Sequence, residues 1–353
     1  MRAITVQPGV PNSARLDDVS EPAESEGALL LRALALGVCG TDREIIRAEY
    51  GAAPPGAERL ILGHESLGVV ESAPTGSGFK PGDHVVGIVR RPDPVPCNCC
   101  AAGEWDMCRN GQYTERGIKE RNGYGSERFR LEPEFAVKVD SALGTLAVLT
   151  EPTTVVAKAW DHADHIVQRA RSAKPHKLLV TGAGPVGFLA ALLGKQRGLE
   201  VHMFDRADKG VKLELTSLLG GTYHNGAIAD VIKTVQPDIV MECTGAVPVI
   251  GDILGHTAPN GIVCLLGVSA SGRMQEIDLG SVNRNIVLEN HVVFGSVNAN
   301  RSHYEAATRA LAAADRSWLS RLITRRVPLE RWEEALDRRP GDIKVIIEFS
   351  QQQ

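Results

Sequence analysis

Lys177-Leu178-Leu179-Val180-Thr181-Gly182-Ala183-Gly184-Pro185-Val186-Gly187 runs on into the apolar stretch Phe188 to Gly198 and then into Glu200-Val201-His202-Met203-Phe204-Asp205. The order is strand, glycine turn, helix, strand. A G-x-G-x-x-G by itself is compatible with an ordinary tight turn. Here it closes a buried parallel strand and opens a helix, and an acidic residue stands at the end of the next strand, the context of a dinucleotide site. Gly182, Gly184 and Gly187 let backbone N–H groups approach a pyrophosphate, and the helix beginning at Pro185 and Val186 turns its positive end toward it. Asp205 is placed to accept hydrogen bonds from a ribose diol and would repel a 2′-phosphate, which favours NAD. Arg206 follows at once and keeps NADP open, because a guanidinium there pairs with a 2′-phosphate or stacks on adenine.

Downstream, strand-like runs at Asp238 to Glu242, Gly261 to Gly267 and His291 to Val297 are separated by helix-length segments. They predict a six-stranded doubly wound parallel sheet, an α/β dinucleotide-binding domain over 155–297. Upstream, residues 1–154 alternate short β-like runs with Gly, Pro and Asp, as in Phe79-Lys80-Pro81-Gly82-Asp83-His84-Val85-Val86-Gly87. That spacing predicts a small β barrel. Between the two, Val155-Val156-Ala157-Lys158-Ala159-Trp160 opens a helical pattern expected to run to about residue 172. There is no internal repeat, and 351–353 read as a frayed end.

The chain of 353 residues has room for these domains, and its 43% hydrophobic and 23% charged residues are those of a soluble globular protein. The 39 basic residues against 43 acidic ones create no single-sign field, which argues against nucleic acid or a membrane surface as partner. Met1 to Val6 reads as a strand and lacks the apolar core of a secretory signal, and no run approaches the roughly 18 apolar residues of a membrane span. A cytoplasmic protein is expected. Of seven cysteines, four fall within 97–108, and an odd count so clustered points to metal ligation before disulfides. Cys243 and Cys264 lie in apolar strand-like runs and are expected to be buried, inert thiols.

Metal chemistry has a second pointer in Leu62-Gly63-His64-Glu65-Ser66-Leu67-Gly68-Val69-Val70, where an imidazole and a carboxylate adjoin at the mouth of a β-prone run. A lone histidine is often structural. Cys39, in Gly37-Val38-Cys39-Gly40-Thr41-Asp42, strengthens the case, since thiolate and imidazole are ligands that zinc favours. Together, the Cys-Gly-Thr-Asp turn and the Gly-His-Glu-x-x-Gly-x-Val run resemble those of the zinc-containing medium-chain dehydrogenase/reductases. The likeness extends over almost the whole chain and is nearest to the zinc-dependent glucose (aldose) dehydrogenases.

The resemblance implies a chaperonin-10-like catalytic β domain over 1–154, with a zinc lobe near 93–108, completed by a return segment over 298–353. It implies a catalytic zinc held by Cys39, His64 and Glu151, the last in Leu149-Thr150-Glu151-Pro152, with Glu65 orienting the site or entering the shell when water leaves. Read without the family, Glu151 is a first-turn carboxylate beside a helix dipole. Thr41 is matched by the hydroxyl that starts a proton relay, and its plainer role is that of a turn residue. A second, structural zinc is implied in the lobe, where Cys97, Cys100 and Cys108 fit three of four places and Pro94 fills the first. Cys99 and Cys100, being successive, point opposite ways in an extended chain, so Asp93 is the better fourth ligand; a lobe without metal is the alternative.

Asn110-Gly111-Gln112-Tyr113-Thr114-Glu115-Arg116-Gly117-Ile118 and Gly295-Ser296-Val297-Asn298-Ala299-Asn300 resemble the segments in which glucose dehydrogenases hold sugar hydroxyls, through Glu115 and Asn298. Asn298 would also border the nicotinamide, while Thr41 and Glu151 would face the sugar. Glu289 stands where some relatives carry a histidine. Two polar side chains beside one metal suit a polyhydroxylated ligand, because an unmatched hydroxyl would leave a buried group unpaired. The expected activity is NAD(P)-dependent oxidation of the anomeric hydroxyl of an aldose such as D-glucose to the lactone. The alternatives are a polyol, inositol or threonine-type dehydrogenase on the same scaffold and, more distantly, a non-catalytic nucleotide-binding protein. A homodimer or homotetramer is expected, with Ile286 to Val297 as a sheet edge pairing with its copy.

Overall fold

The computed structural model describes residues 1–170 and 174–349. The frayed end expected at 351–353 lies outside the described residues, and the helix expected to run to about 172 stops short of that, at Val167, where 168–170 turn away. The chain divides into two compact units, one formed by Met1–Thr154 with Asn298–Gln353 and the other by Val155–Val297.

In the first unit, strand β1 (Leu29–Gly37) alternates buried and half-buried residues before burying its last three. Its alternation buries Leu29, Leu31 and Ala33 in a core shared with Val70, Val85, Phe129, Val345 and Ile347. Helix α1 (Gly40–Ile46) follows directly. Strand β2 (Glu65–Ser72) runs antiparallel to β1 with Glu65 opposite Gly37. On its other side β1 pairs antiparallel with the C-terminal strand Lys344–Glu348, Ile346 facing Gly37. The expected small barrel takes the form of a seven-stranded, largely antiparallel sheet together with two three-stranded sheets. Three chain segments therefore end at one corner: the exit of β1 toward Cys39, the entry of β2 from His64, and the start of the C-terminal strand at Lys344.

Helix α2 (Thr150–Val167) crosses the boundary between the units. It begins five residues before the expected Val155, taking Glu151 into its first turn. The second unit is the doubly wound sheet. Strand β3 (Lys177–Thr181) leads into helix α3 (Pro185–Gln196), followed by β4 (Glu200–Phe204), α4 (Val211–Leu218) and β5 (Thr222–His224). Then come β6 (Ile239–Glu242), β7 (Ile262–Leu265), α5 (Leu279–Leu288) and β8 (Val292–Gly295). All neighbours are parallel in the order β5-β4-β3-β6-β7-β8. One face packs Leu179, Phe204, Val240 and Val263 against Ile228, Ile232 and Ile253. Each such side chain, fully buried, stabilises by about 2 kcal/mol. On the other face α3 lies so close that a Cβ on Gly194 would overlap Leu178.

Candidate metal and dinucleotide sites

The corner at the end of β1 gathers the predicted catalytic ligands. Cys39 is the N-cap of α1, and the Asp42 carboxylate accepts the Cys39 backbone N–H at 2.8 Å. The thiol lies 3.9 Å from the Thr41 hydroxyl. Donor atoms of Cys39, His64 and Glu65 lie within 4.8 Å of one another. Donors sharing one zinc at about 2.0–2.3 Å sit roughly 3.3–4 Å apart, so this thiol, imidazole and carboxylate need little adjustment to hold it. Room for the Glu65 carboxylate exists because its neighbour across the ladder is Gly37, where a Cβ would overlap Glu65 Oε2. His64 Nδ1 lies 3.5 Å from Asp42 Oδ1. Burial alone would lower the imidazole pKa, but Asp42 and Cys39 beside it hold it well above the ordinary value.

Glu151 is not a member of the close-packed set of donors. It is near enough for its charge to matter: burial first, then Glu65, raise its pKa to about 7 against the pull of His64 and Lys344. Lys344 is 2% exposed, is ion-paired with Glu65, and donates to the Val38 carbonyl at 3.1 Å. Burial works against its charge, and Glu65, Cys39 and Glu151 together raise its pKa.

The donor atoms of Cys97, Cys100 and Cys108 also lie within 4.8 Å of one another. Cys99 stays outside this set, its place in the short helix Asn98–Ala101 turning it away. The backbone N–H of Arg109, donating at 3.4 Å, lowers the pKa of the Cys97 thiol to about 6, while burial raises that of Cys100 to about 11. Asp93 is buried; its Oδ1 accepts the Val95 N–H, and Oδ2 has no hydrogen-bond partner among the described residues. Such an orphaned carboxylate oxygen is what a fourth ligand would present, although Asp93 is not a member of the close set formed by the three cysteines. Of the two cysteines expected to be inert, Cys264 is buried, with a pKa raised to about 12. Cys243 is half-buried rather than buried, because β6 ends at Glu242 just before it, yet desolvation and the Glu242 charge push its thiol pKa well above the ordinary value, as an inert thiol requires.

Glu115 and Asn298 meet in the first unit. Asn298, held at φ 61°, donates from Nδ2 to Glu115 Oε1 at 2.6 Å. Arg90 donates to the same oxygen from Nε at 3.0 Å, and its guanidinium stacks 3.6 Å from the centre of the Tyr113 ring. Every one of these donors falls on Oε1, which fixes the carboxylate's orientation.

In the second unit Gly182 takes φ 93°, which favours glycine, and a Cβ on Gly187 would overlap the Gly182 carbonyl. Around Gly184, by contrast, a Cβ would meet nothing within 4 Å. This open cradle at the N-cap of the 12-residue α3 fits a pyrophosphate. Asp205 reaches back to the turn, its Oδ2 accepting the Ala183 N–H at 2.8 Å. The same oxygen accepts Lys212 Nζ at 2.8 Å, so the carboxylate is partnered rather than free. Arg206 is exposed beside it, and Glu289 is exposed at the end of α5.

The pattern described as glucose dehydrogenase C-terminus matches residues 144–349, and the alcohol dehydrogenase GroES-like domain matches 25–141. A glucose 1-dehydrogenase of Methanocella arvoryzae is 39% identical, with 99% of each chain covered. The chain belongs to the glucose dehydrogenase family. Another member of the glucose dehydrogenase family, glucose 1-dehydrogenase 2 of Vulcanisaeta moutnovskia, is 42% identical over 99% of this chain and 100% of its own. Glucose dehydrogenase of Haloferax mediterranei, solved in complex with NADP, Zn and gluconolactone, superposes with a TM-score of 0.91 at 33% identity, covering 99% of this chain and 100% of that one.

For this member of the glucose dehydrogenase family the sequence reading missed Asp42, Lys344, Arg90 and Lys212. Asp42 had a signal, being the last residue of the Cys-Gly-Thr-Asp turn. Lys344 and Arg90 had none, because only the pairing of strands brings them to Glu65 and Glu115, and Lys212, seven residues from Asp205, depends on how the loop between them turns.

Proposed function

We propose that this chain is a zinc-dependent NAD(P) oxidoreductase that oxidises the anomeric hydroxyl of an aldose such as D-glucose to the lactone. The observation that carries this reading is the approach of Cys39, His64 and Glu65 donors to within 4.8 Å in a buried corner. Family membership and the relative bound to NADP, Zn and gluconolactone support the substrate class. Cys39 and His64 would hold the catalytic ion, with Glu151 or Glu65 completing the shell. Zinc there would polarise the sugar hydroxyl as a Lewis acid while the nicotinamide took hydride from the same carbon.

The rest is the work of the chain's own groups. The Thr41 hydroxyl, 3.9 Å from the Cys39 thiol, would receive the proton of the reacting hydroxyl and pass it outward. Asp42 fixes the His64 ring. Glu115, oriented by Arg90 and Asn298, accepts hydrogen bonds from ring hydroxyls. Cys97, Cys100, Cys108 and Asp93 would hold a second, structural ion whose binding energy serves folding. All seven cysteines are unpaired, which fits a reducing, cytoplasmic compartment. Self-association would use the edge strand β8. Replacing Cys39→Ala should abolish sugar-dependent NAD(P) reduction and leave dinucleotide binding within threefold. Undiminished turnover by that variant or by chelated protein excludes the scheme, and a panel of aldoses, polyols and threonine with product analysis for lactone separates the substrate classes.

A further inference from the structure

A carboxylate at the end of the second strand of a doubly wound sheet discriminates against a 2′-phosphate only while it is charged and open to the ribose. Against burial, Asp205 is held ionised by Lys212, but the same lysine compensates its charge, and its oxygens are partly taken. Its Oδ2 is taken by the Ala183 N–H and by Lys212 Nζ, both at 2.8 Å, and Oδ1 by the Ala207 N–H at 3.3 Å. Lys212 stands in the first turn of α4, and its side chain keeps 26% of its surface in contact with solvent. The connecting loop is fixed at its middle, where the Tyr223 hydroxyl donates to the Ala207 carbonyl at 2.8 Å. Between Asp205 and Lys212 the chain carries Asp205 and Asp208 against Arg206, Lys209 and Lys212, so the loop has one cation in excess.

We propose that Lys212 is the specificity-determining residue at the adenosine end: by holding Asp205 it lets the site accept a 2′-phosphorylated dinucleotide as well as the plain ribose diol. Lys212 cancels the charge that would repel the phosphate, and Arg206, exposed next in the chain, is the second cation within the same loop. With Lys212 removed, Asp205 faces a phosphate dianion uncompensated, whereas a diol still finds an acceptor. The proposal rests on reading the Gly182 to Gly187 turn as the dinucleotide site.

The test is direct binding, by calorimetry on the full-length protein without sugar, of NAD, NADP and the fragments adenosine 5′-monophosphate and adenosine 2′-monophosphate. The wild type is expected to bind both dinucleotides within about tenfold of each other. Lys212→Met should weaken NADP and the 2′-phosphate fragment at least tenfold while changing NAD less than threefold, and Lys212→Arg should restore NADP. A wild type that binds NAD but takes NADP a hundredfold more weakly overturns the proposal and leaves the dinucleotide site intact. So does a Lys212→Met variant that loses both dinucleotides equally, which would make the lysine a support of the loop, or one whose NADP to NAD ratio does not move. Failure of the wild type to bind either dinucleotide instead refutes the reading of the glycine turn.

Discussion

Among single residues, Lys344 sets the electrostatics of the candidate metal corner. It is 2% exposed and ion-paired with Glu65, and burial has removed both from water. Breaking such a pair by deleting one partner costs about 3–5 kcal/mol, because the surviving charge is left in a medium that cannot solvate it. Lys344→Met should therefore lower the unfolding free energy of zinc-stripped protein by about 3 kcal/mol in urea titrations. Zinc at the proposed site would supply the missing positive charge beside Glu65, so the loss should shrink when the metal is bound. Equal losses with and without zinc would mean that Glu65 does not face the ion.

The elements show which parts of the chain their own residues specify. The β3-turn-α3 unit was legible because each level agrees: Leu178 to Thr181 are buried strand residues, Gly182 supplies the positive φ, and Pro185 opens the helix at its first position. The thiol and imidazole of the metal corner were legible for a similar reason, since each sits in a local motif. What could not be read is pairing across the chain. Nothing in 344–348 announces that Ile346 will lie opposite Gly37 and bring Lys344 to Glu65. The helix starts at Thr150 rather than the expected Val155, and Pro152 is accommodated because in the first turn a proline loses no hydrogen bond. The two glycines of the turn separate packing from binding. Gly187→Ala forces a Cβ into the Gly182 carbonyl and should lower the melting temperature by several degrees along with dinucleotide affinity. Gly184→Ala meets no protein atom and should leave the melting temperature unchanged while weakening dinucleotide binding at least tenfold, measured by thermal unfolding beside calorimetry. Undisturbed binding in Gly184→Ala would show that the pyrophosphate lies elsewhere.

At the level of the whole molecule, carboxylates paired with arginine or lysine tie the pH dependence of stability to one side. Burial would raise the pKa of Glu132, Asp205 and Asp342, but Arg91, Lys212 and Arg325 hold them below their ordinary 4.5 and 3.8. A depressed folded pKa contributes stability above the unfolded value that is lost as pH falls through the folded one, so the melting temperature should drop between about pH 4.5 and 3. A rise on acidification over that interval would contradict the pairings. Assembly is the other property of the whole. β8 is an outermost strand of the parallel sheet, and Val293 on it is 36% exposed. Val287, Leu288 and Val297 nearby in sequence are 64, 59 and 60% exposed. An edge strand with free N–H and C=O groups, flanked by apolar side chains in water, is a template for a second strand, and a copy related by a two-fold axis offers the same surface in return. Burying these side chains in a dimer would stabilise it by roughly 1.5–3 kcal/mol each, and a carboxylate in their place would reverse the sign. Val287→Asp combined with Val297→Asp should thus convert an oligomer into single chains by light scattering at micromolar concentration, with dinucleotide affinity retained. Wild-type protein that is already a single chain at that concentration, or a double variant of undiminished mass, would remove this edge as the interface.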